Sequence, residues 1–226
     1  MSTVRSVNLG AARPNPAKSG GAAGTVTTGI AKRPVDHPVP VRAPGPKGTG
    51  GSGLVGDHVG DRRHHGGDDQ AVYAYAREDL DAWEDELGRA LADGCFGENL
   101  TTAGIDVTGA VLGERWHVGD GGPVLEVSCP RIPCRTFSLH LGEERWVPRF
   151  TAARVPGAYL RVLEPGTVRA GAVVEVRDVP AHGVTVGTAF AAITTAPDLL
   201  PRLLDVPTWP LGERAEIERR AGGTWR

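Results

Sequence analysis

The fragment SCPRIPCRTF, residues 128–137, holds the side chain best suited to chemistry, Cys134. It follows Cys129 by five positions, and Pro130 and Pro133 bracket Arg131 and Ile132. Two prolines fix backbone angles and remove amide donors, so the segment is expected to leave a preceding strand as a stiff turn. A thiol on such a turn is presented in one direction. Arg131 and Arg135 flank it, and a nearby cation favours thiolate over thiol. Thiolate is the form that binds soft metals or carries sulfur. Two plainer readings stand beside this one: a small buried hydrophobe, or a Cys129–Cys134 disulfide. Three cysteines are an odd count for a disulfide framework, and a reduced cytoplasmic setting is the simpler expectation. Cys95, in DGCFGENL, reads as a packing cysteine.

A second constellation is GDHVGDRRHHGGDDQAVYAY, residues 56–75. Asp57, His58, Asp61, Arg62, Arg63, His64 and His65 fall within nine positions, and Gly66 and Gly67 follow. Glycines permit unusual backbone angles, so such a loop can aim amides and imidazoles at an anion. Histidine is also the side chain readiest to move a proton near neutral pH. The bland alternative is a solvated polar loop. In a third piece, FGENLTTAGI (96–105), Glu98 and Asn99 follow a glycine and either point into a site or form a capped turn. A zinc site needs about four convergent ligands and there is no CxxC pair, so that signal is weak. There is no P-loop, HExxH or GxSxG, and no well-placed GxGxxG, which argues against nucleotide-dependent and serine-hydrolase chemistry.

The elements that must position these residues are mostly strands. Glycine and proline number 32 and 18 of 226 residues, which suits a turn-rich β protein. Val4–Leu9, Gly24–Ile30, Trp116–Val118, Pro123–Ser128, Ala158–Leu163 and Val173–Arg177 are the strand candidates, and the later ones suggest a compact barrel or sandwich. Residues 77–87 predict a helix on Leu80, Trp83 and Leu87, stopped by Gly88. One more short helix is expected within 143–152. The run 43–53 (APGPKGTGGSG) reads as a mobile connector or a flap. Residues 1–183 are taken as the β domain. Residues 184–226 are taken as an appendage of three short helices, Ala189–Ala192, Pro197–Leu204 and Leu211–Arg220, with packing or oligomerisation as its simplest role. The net charge of −2 gives no basic face for nucleic acid. No apolar run of membrane-spanning or signal-peptide length occurs.

Read in order, these pieces resemble the MOSC domain family, named for the C-terminal domain of molybdenum cofactor sulfurase. The resemblance rests on TGIAKRPV (28–35), GDHVGDRRHHGG (56–67), AVYAY (71–75), FGENLT (96–101), EVSCPRIPC (126–134), RFTAARVPGAYLRVLEPG (149–166) and HGVTV (182–186). Within the family the chain looks most like the bacterial proteins associated with hydroxylaminopurine resistance. The resemblance implies a mostly β fold with α, a distorted barrel carrying a helical tail. It implies the molybdenum cofactor, molybdopterin, with Cys134 as metal ligand or persulfide carrier. His65, or His64, is implied as proton donor. Thr28, Lys32, Arg62, Arg63, Asn99, Arg131 and Arg135 are implied to hold the cofactor. Relatives often carry Lys or Arg just before the TGI segment. Here that position is Thr27, so Lys32, Arg33 or Arg62 must take its part.

Three functions follow from the resemblance. The first is reduction of N-hydroxylated bases or related small molecules, with electrons from a separate reductase. The second is a persulfide carrier fed by a pyridoxal-phosphate-dependent cysteine desulfurase. The third is a partner-binding module. A cytoplasmic protein is expected, with no nucleic-acid or membrane partner. The oligomeric state is left open, a dimer included.

Overall fold

The computed structural model describes residues 1–18 and 26–222. The expected strand Gly24–Ile30 begins in residues outside that set, and among its described residues Thr27–Thr28 are strand. The chain forms β1 (Thr3–Gly10), β2 (Arg13–Pro14), β3 (Thr27–Thr28), β4 (Lys32–Val35), β5 (Val39–Val41) and β6 (Val72–Ala76). Helix α1 (Arg77–Leu87), β7 (Leu100–Ala103), β8 (Arg115–Val118) and β9 (Val124–Pro130) follow. Then come α2 (Arg135–Leu141), α3 (Trp146–Ala153), β10 (Ala158–Glu164), β11 (Gly166–Val168) and β12 (Val174–Arg177). The tail is α4 (Val186–Thr194), α5 (Leu200–Leu204) and α6 (Leu211–Gly222).

Eight strands form one mixed sheet in the order β12-β8-β9-β10-β6-β7-β1-β4, with β6 and β7 parallel. The mostly-β class with helices is as expected, but the barrel is corrected: the ladder does not close. The reason lies in β1, whose outer edge is shared. Val7–Gly10 pair with β4, while residues near Val4 turn to the other end of the sheet. There a single bridge joins Thr3 to Val173, supported by Val4 N–H to Ala172 O (2.8 Å) and Gly171 N–H to Val4 O (2.8 Å).

Helix α1 ends where the sequence predicts, with Gly88 in the left-handed cap at φ 64°. Helix α3 is the helix expected near 143–152. Helix α2 was not expected. The stiff turn of Pro130–Pro133 runs straight into it, and Gly142 at φ 74° closes it. The loop 43–53, expected to be mobile, is instead stitched to the histidine loop. Gly48 N–H donates to Arg62 O (3.0 Å), Gly67 N–H to Gly51 O (3.0 Å), and Gly45 N–H to the Asp68 carboxylate (2.9 Å). Gly66, at φ 76°, shows why glycine sits there: a Cβ would meet Gly51 O at 2.6 Å.

The core has two parts. One is aliphatic, and Val184, Leu200, Leu203, Val206 and Ile217 of the tail join the sheet residues in it. The other is aromatic, built from Tyr75, Trp83, Phe96, Phe137, Trp146 and Phe150. Phe96 and Phe137 meet edge-on at 5.1 Å, which packs α2 on the FGEN segment.

Candidate functional site

Strand β9 carries the chain to the site. Cys129 lies near its end, opposite Tyr159 on β10, and Tyr159 in turn faces Tyr73 on β6. The backbone then runs through Arg131 and Pro133 to Cys134, which caps α2 in extended conformation (φ −130°, ψ 169°). Cys134 O accepts from Ser138 N–H at 3.1 Å, and the thiol is half-buried beside the aromatic cluster.

Arg131 is 6% exposed. It donates to Phe96 O at 2.8 Å, and its guanidinium carbon stands 3.6 Å from the Phe137 ring centre and 5.3 Å from that of Tyr73. Among the described residues its charged neighbourhood is phenols and the Cys134 thiol, with no carboxylate partner. A buried cation without an acid is costly unless an anion or π faces compensate it. Tyr159 stands in electrostatic reach of both Cys129 and Cys134. Burial pushes its phenol up to about 12, against the pull of Arg131. Burial likewise pushes the Cys129 and Cys95 thiols up to about 12, so both stay protonated.

The histidine loop folds over Asp61. His64 and His65 N–H both reach Asp61 O, at 3.2 and 3.0 Å, and His64 Nδ1 lies 3.2 Å from the Asp61 carboxylate. Lys18 also pairs with that carboxylate, and chiefly for this reason its pKa falls to about 2. His65 is exposed as a residue, yet partial desolvation first, and the Arg131 charge second, hold its pKa below the usual histidine value.

His64 and His65 line a cleft of about 190 Å3, with Gln70, Cys129, Pro130, Ile132 and Tyr159 as floor and wall. Its remaining sides are Lys47 from the stitched loop and Ile193, Trp209 and Glu213 from the tail. Cys129, not Cys134, lies on this wall; Tyr159 links the two thiols. Arg161 braces the wall from behind. It bonds Asp69 (2.6 Å), Glu126 (3.0 Å) and Thr208 O (2.6 Å) at once.

Other sequence-derived candidates are placed elsewhere. Lys32 forms a buried ion pair with Asp57, and Asn99 Nδ2 donates to the same carboxylate at 2.9 Å. Asn99 Oδ1 accepts from Tyr73 N–H at 3.2 Å, so both residues serve an internal polar network. Burial lowers the Lys32 pKa, and Asp57 opposes that shift. Glu98, fully buried, accepts from Gly94 N–H (2.5 Å), Phe96 N–H (3.0 Å) and Thr101 Oγ1 (2.9 Å). Thr28 Oγ1 accepts from Ile30 N–H at 3.3 Å. Arg62 donates to Thr49 O at 3.1 Å, while Arg63 and Arg135 are exposed. Sequence reasoning missed Tyr159, Gln70 and Trp209. Trp209 stands between two prolines in VPTWP, and a lone aromatic in a turn was the one available signal.

Among the described residues, no group of three or more His, Cys, Asp or Glu is arranged to hold a metal ion, and no helix is long and apolar enough to cross a membrane.

Residues 61–175 match the family model described as the MOSC domain. An uncharacterized protein of Bacillus subtilis, YflK, is 34% identical over 184 residues, 81% of this chain and 77% of that one. Protein YiiM of Escherichia coli is 31% identical over 126 residues, 54% of this chain and 55% of that one. A Gibberella moniliformis protein named a reductase is 30% identical over 166 residues, 72% of this chain but 28% of its own length. Among solved structures, YiiM from Geobacillus stearothermophilus superposes with a TM-score of 0.77 at 23% identity, covering 98% of this chain and 100% of that one.

Proposed function

Since this chain belongs to the MOSC domain family, of the YiiM type, we propose that it binds the molybdenum cofactor with Cys134 as its protein ligand to the metal and reduces N-hydroxylated small molecules. The observation that carries this reading is the pairing of the half-buried Cys134 thiol with the buried, acid-free Arg131 three residues earlier. The donor set fits. A thiol is a soft ligand, and a metal that arrives on an organic cofactor needs few ligands from the protein. Arg131 offers that cofactor an anion-binding charge in a dry setting.

When bound, the cofactor supplies the two-electron redox chemistry. The chain's own residues supply the rest. Cys134 holds and orients. His65 leans over the cleft and delivers a proton to the departing oxygen, and His64 is held beside it by Asp61. Arg62, Arg63 and Arg135 are exposed cations available to hold a phosphate. Lys32 and Asn99 act one layer deeper, fixing Asp57 and the Tyr73 strand. Thr28 steadies the turn before Lys32. Electrons come from a separate reductase. The relative named a reductase supports a redox role for this type of domain.

Elemental analysis of protein made in a cofactor-competent host tests the reading. Molybdenum and pterin retained by the wild type and lost in Cys134→Ala are expected. Equal metal content in both overturns it. A single half-exposed thiol without further protein ligands also suits a persulfide carrier, loaded by a cysteine desulfurase that uses pyridoxal phosphate. Cyanide-labile sulfur on Cys134 without molybdenum would favour that second reading.

A further inference from the structure

Glu98 is a fully buried acid that the chemistry above leaves idle. The loop before it wraps its carboxylate. Oε1 accepts from Gly94 N–H (2.5 Å) and from the Thr101 hydroxyl (2.9 Å), and Oε2 accepts from Phe96 N–H (3.0 Å). Gly94 and Gly97, at φ 87° and 81°, give the loop a curl that other residues rarely adopt, and Gly97 N–H closes it onto Gly94 O at 2.9 Å. A buried carboxylate needs donors, and the curl turns two amides inward to supply them.

The same loop gives two successive carbonyls to the cysteine segment. Phe96 O accepts from Arg131 Nη1 at 2.8 Å. Cys95 O accepts from His140 Nε2 at 3.0 Å, in the last turn of α2, whose first turn Cys134 caps. Cys95 O and Phe96 N–H belong to one peptide plane. Glu98 and His140 therefore grip that plane from opposite edges, and each bond polarises the other. The next plane carries the carbonyl that holds Arg131.

We propose that Glu98 is a positioning residue of this site: by fixing the 94–97 loop, it fixes where the Arg131 guanidinium and the helix capped by Cys134 stand. Its bearing on the cofactor rests on the reading of Cys134 and Arg131 given above. Glu98 is also a titrating support. Burial pushes its carboxyl up to about 7. The groups facing it are Lys32 from β4, Tyr73 and Tyr75 from β6, and Cys95 on its own loop. Lys32 is paired with Asp57, and burial keeps the two phenols and the thiol protonated. Protonating Glu98 takes a lone pair from one oxygen and loosens its hold on the loop.

Nuclear magnetic resonance of the cofactor-free protein, labelled in its arginines, tests this. The guanidinium signals of Arg131 are identified by their loss in Arg131→Met. In the wild type they should shift between pH 5 and pH 8 with a midpoint of about 7. In Glu98→Gln they should be displaced and lose that step. There the amide oxygen can keep Gly94 and Thr101, but its NH2 then faces Phe96 N–H. Leu203→Ala truncates a buried side chain in the tail, so it lowers stability away from the loop and should leave the signals and their step in place. His65 and His140 also lie in reach of the Arg131 charge, and the step should survive His65→Ala and His140→Gln. If Glu98→Gln does not fold, survival in both histidine variants assigns the step to Glu98. Undisplaced Arg131 signals in Glu98→Gln overturn the proposal. So does a wild type with no step, or a step that vanishes with either histidine.

The loaded protein supplies a second readout. Molybdenum retained by Glu98→Gln should fall to the level of Arg131→Met. Full retention in Glu98→Gln where Arg131→Met has lost the metal overturns the positioning role. If Arg131→Met and Cys134→Ala both keep the metal, the cofactor reading falls, and the resonance result decides the role of Glu98 without it.

Discussion

The guanidinium carbon of Arg131 stands 3.6 Å from the ring centre of Phe137, a residue on the helix that Cys134 caps. The same arginine thus supports the helix by packing and supplies the site with charge. These roles separate on substitution. Arg131→Met keeps the volume and removes the cation, so unfolding free energy should change by about 1 kcal/mol or less, since apolar isosteres of buried charges are often neutral. Molybdenum retention should fall sharply. Urea denaturation beside metal analysis checks this. A loss of several kcal/mol with metal retained would make Arg131 a structural cation only.

Lys32 and Asp57 make the second separable pair. Their side chains are 7% and 1% exposed, and Asp57 also accepts from Gly10 N–H at 2.8 Å. Asp57→Asn leaves a buried ammonium unpaired and should cost about 3–5 kcal/mol of stability. The double variant with Lys32→Met should recover part of that loss. If Asp57→Asn unfolds no earlier in urea than the wild type, the pair is not what holds the TGI segment to the GDHVGD segment.

Glu98 gives a pH signature. Burial pushes its carboxyl up to about 7 from an ordinary value of 4.5. The folded state therefore binds this proton more tightly than the unfolded state. The stability it contributes is full below the ordinary carboxylate range and is lost as pH rises through about 7. Glu98→Gln should not mimic the protonated acid. Both Glu98 oxygens accept from N–H donors, and an amide group would set donor against donor, costing about 1–3 kcal/mol. Denaturation at pH 5 and pH 8 reads both effects.

His65 has the opposite sign. Its folded pKa is depressed, so charging it costs stability as pH falls from the ordinary histidine range through the lowered value. As proton donor it works only when charged. Turnover of the loaded protein should therefore keep rising as pH falls below about 6.5, the ordinary histidine value. His65→Ala should flatten that limb and lower turnover about 100-fold, with molybdenum content unchanged. Equal loss of metal and turnover would make His65 a cofactor anchor.

Much of the frame was legible in the sequence because local patterns carry it. Leu80 and Trp83 at helical spacing with Gly88 behind them gave α1 its limits, and the alternating run Ala158–Leu163 gave β10. The turn that carries Cys134 out of β9 was legible through its prolines, and the family through ordered motifs. What was not legible depends on distant partners. Lys32 looked free to meet a phosphate until Asp57, 25 positions away, took its charge. The loop 43–53 looked mobile because glycine and proline lack side chains to pack, yet its backbone groups do the bonding. Gln70 and Trp209 meet in one cleft only because the tail folds back on the sheet. No periodicity reports that.

Arg161 has a consequence for the order in which the chain assembles. Its three acceptors sit at positions 69, 126 and 208, so one guanidinium ties an early turn, a central strand and the last loop before α6. Glu126 is in place once β9 pairs with β10, and Asp69 once β6 pairs with β10; the third waits for the tail. The Pro207–Pro210 strap thus docks last onto a surface already built, and it is the natural first segment to let go. Pulled from its C-terminal end, this protein would lose its cleft before it lost its sheet.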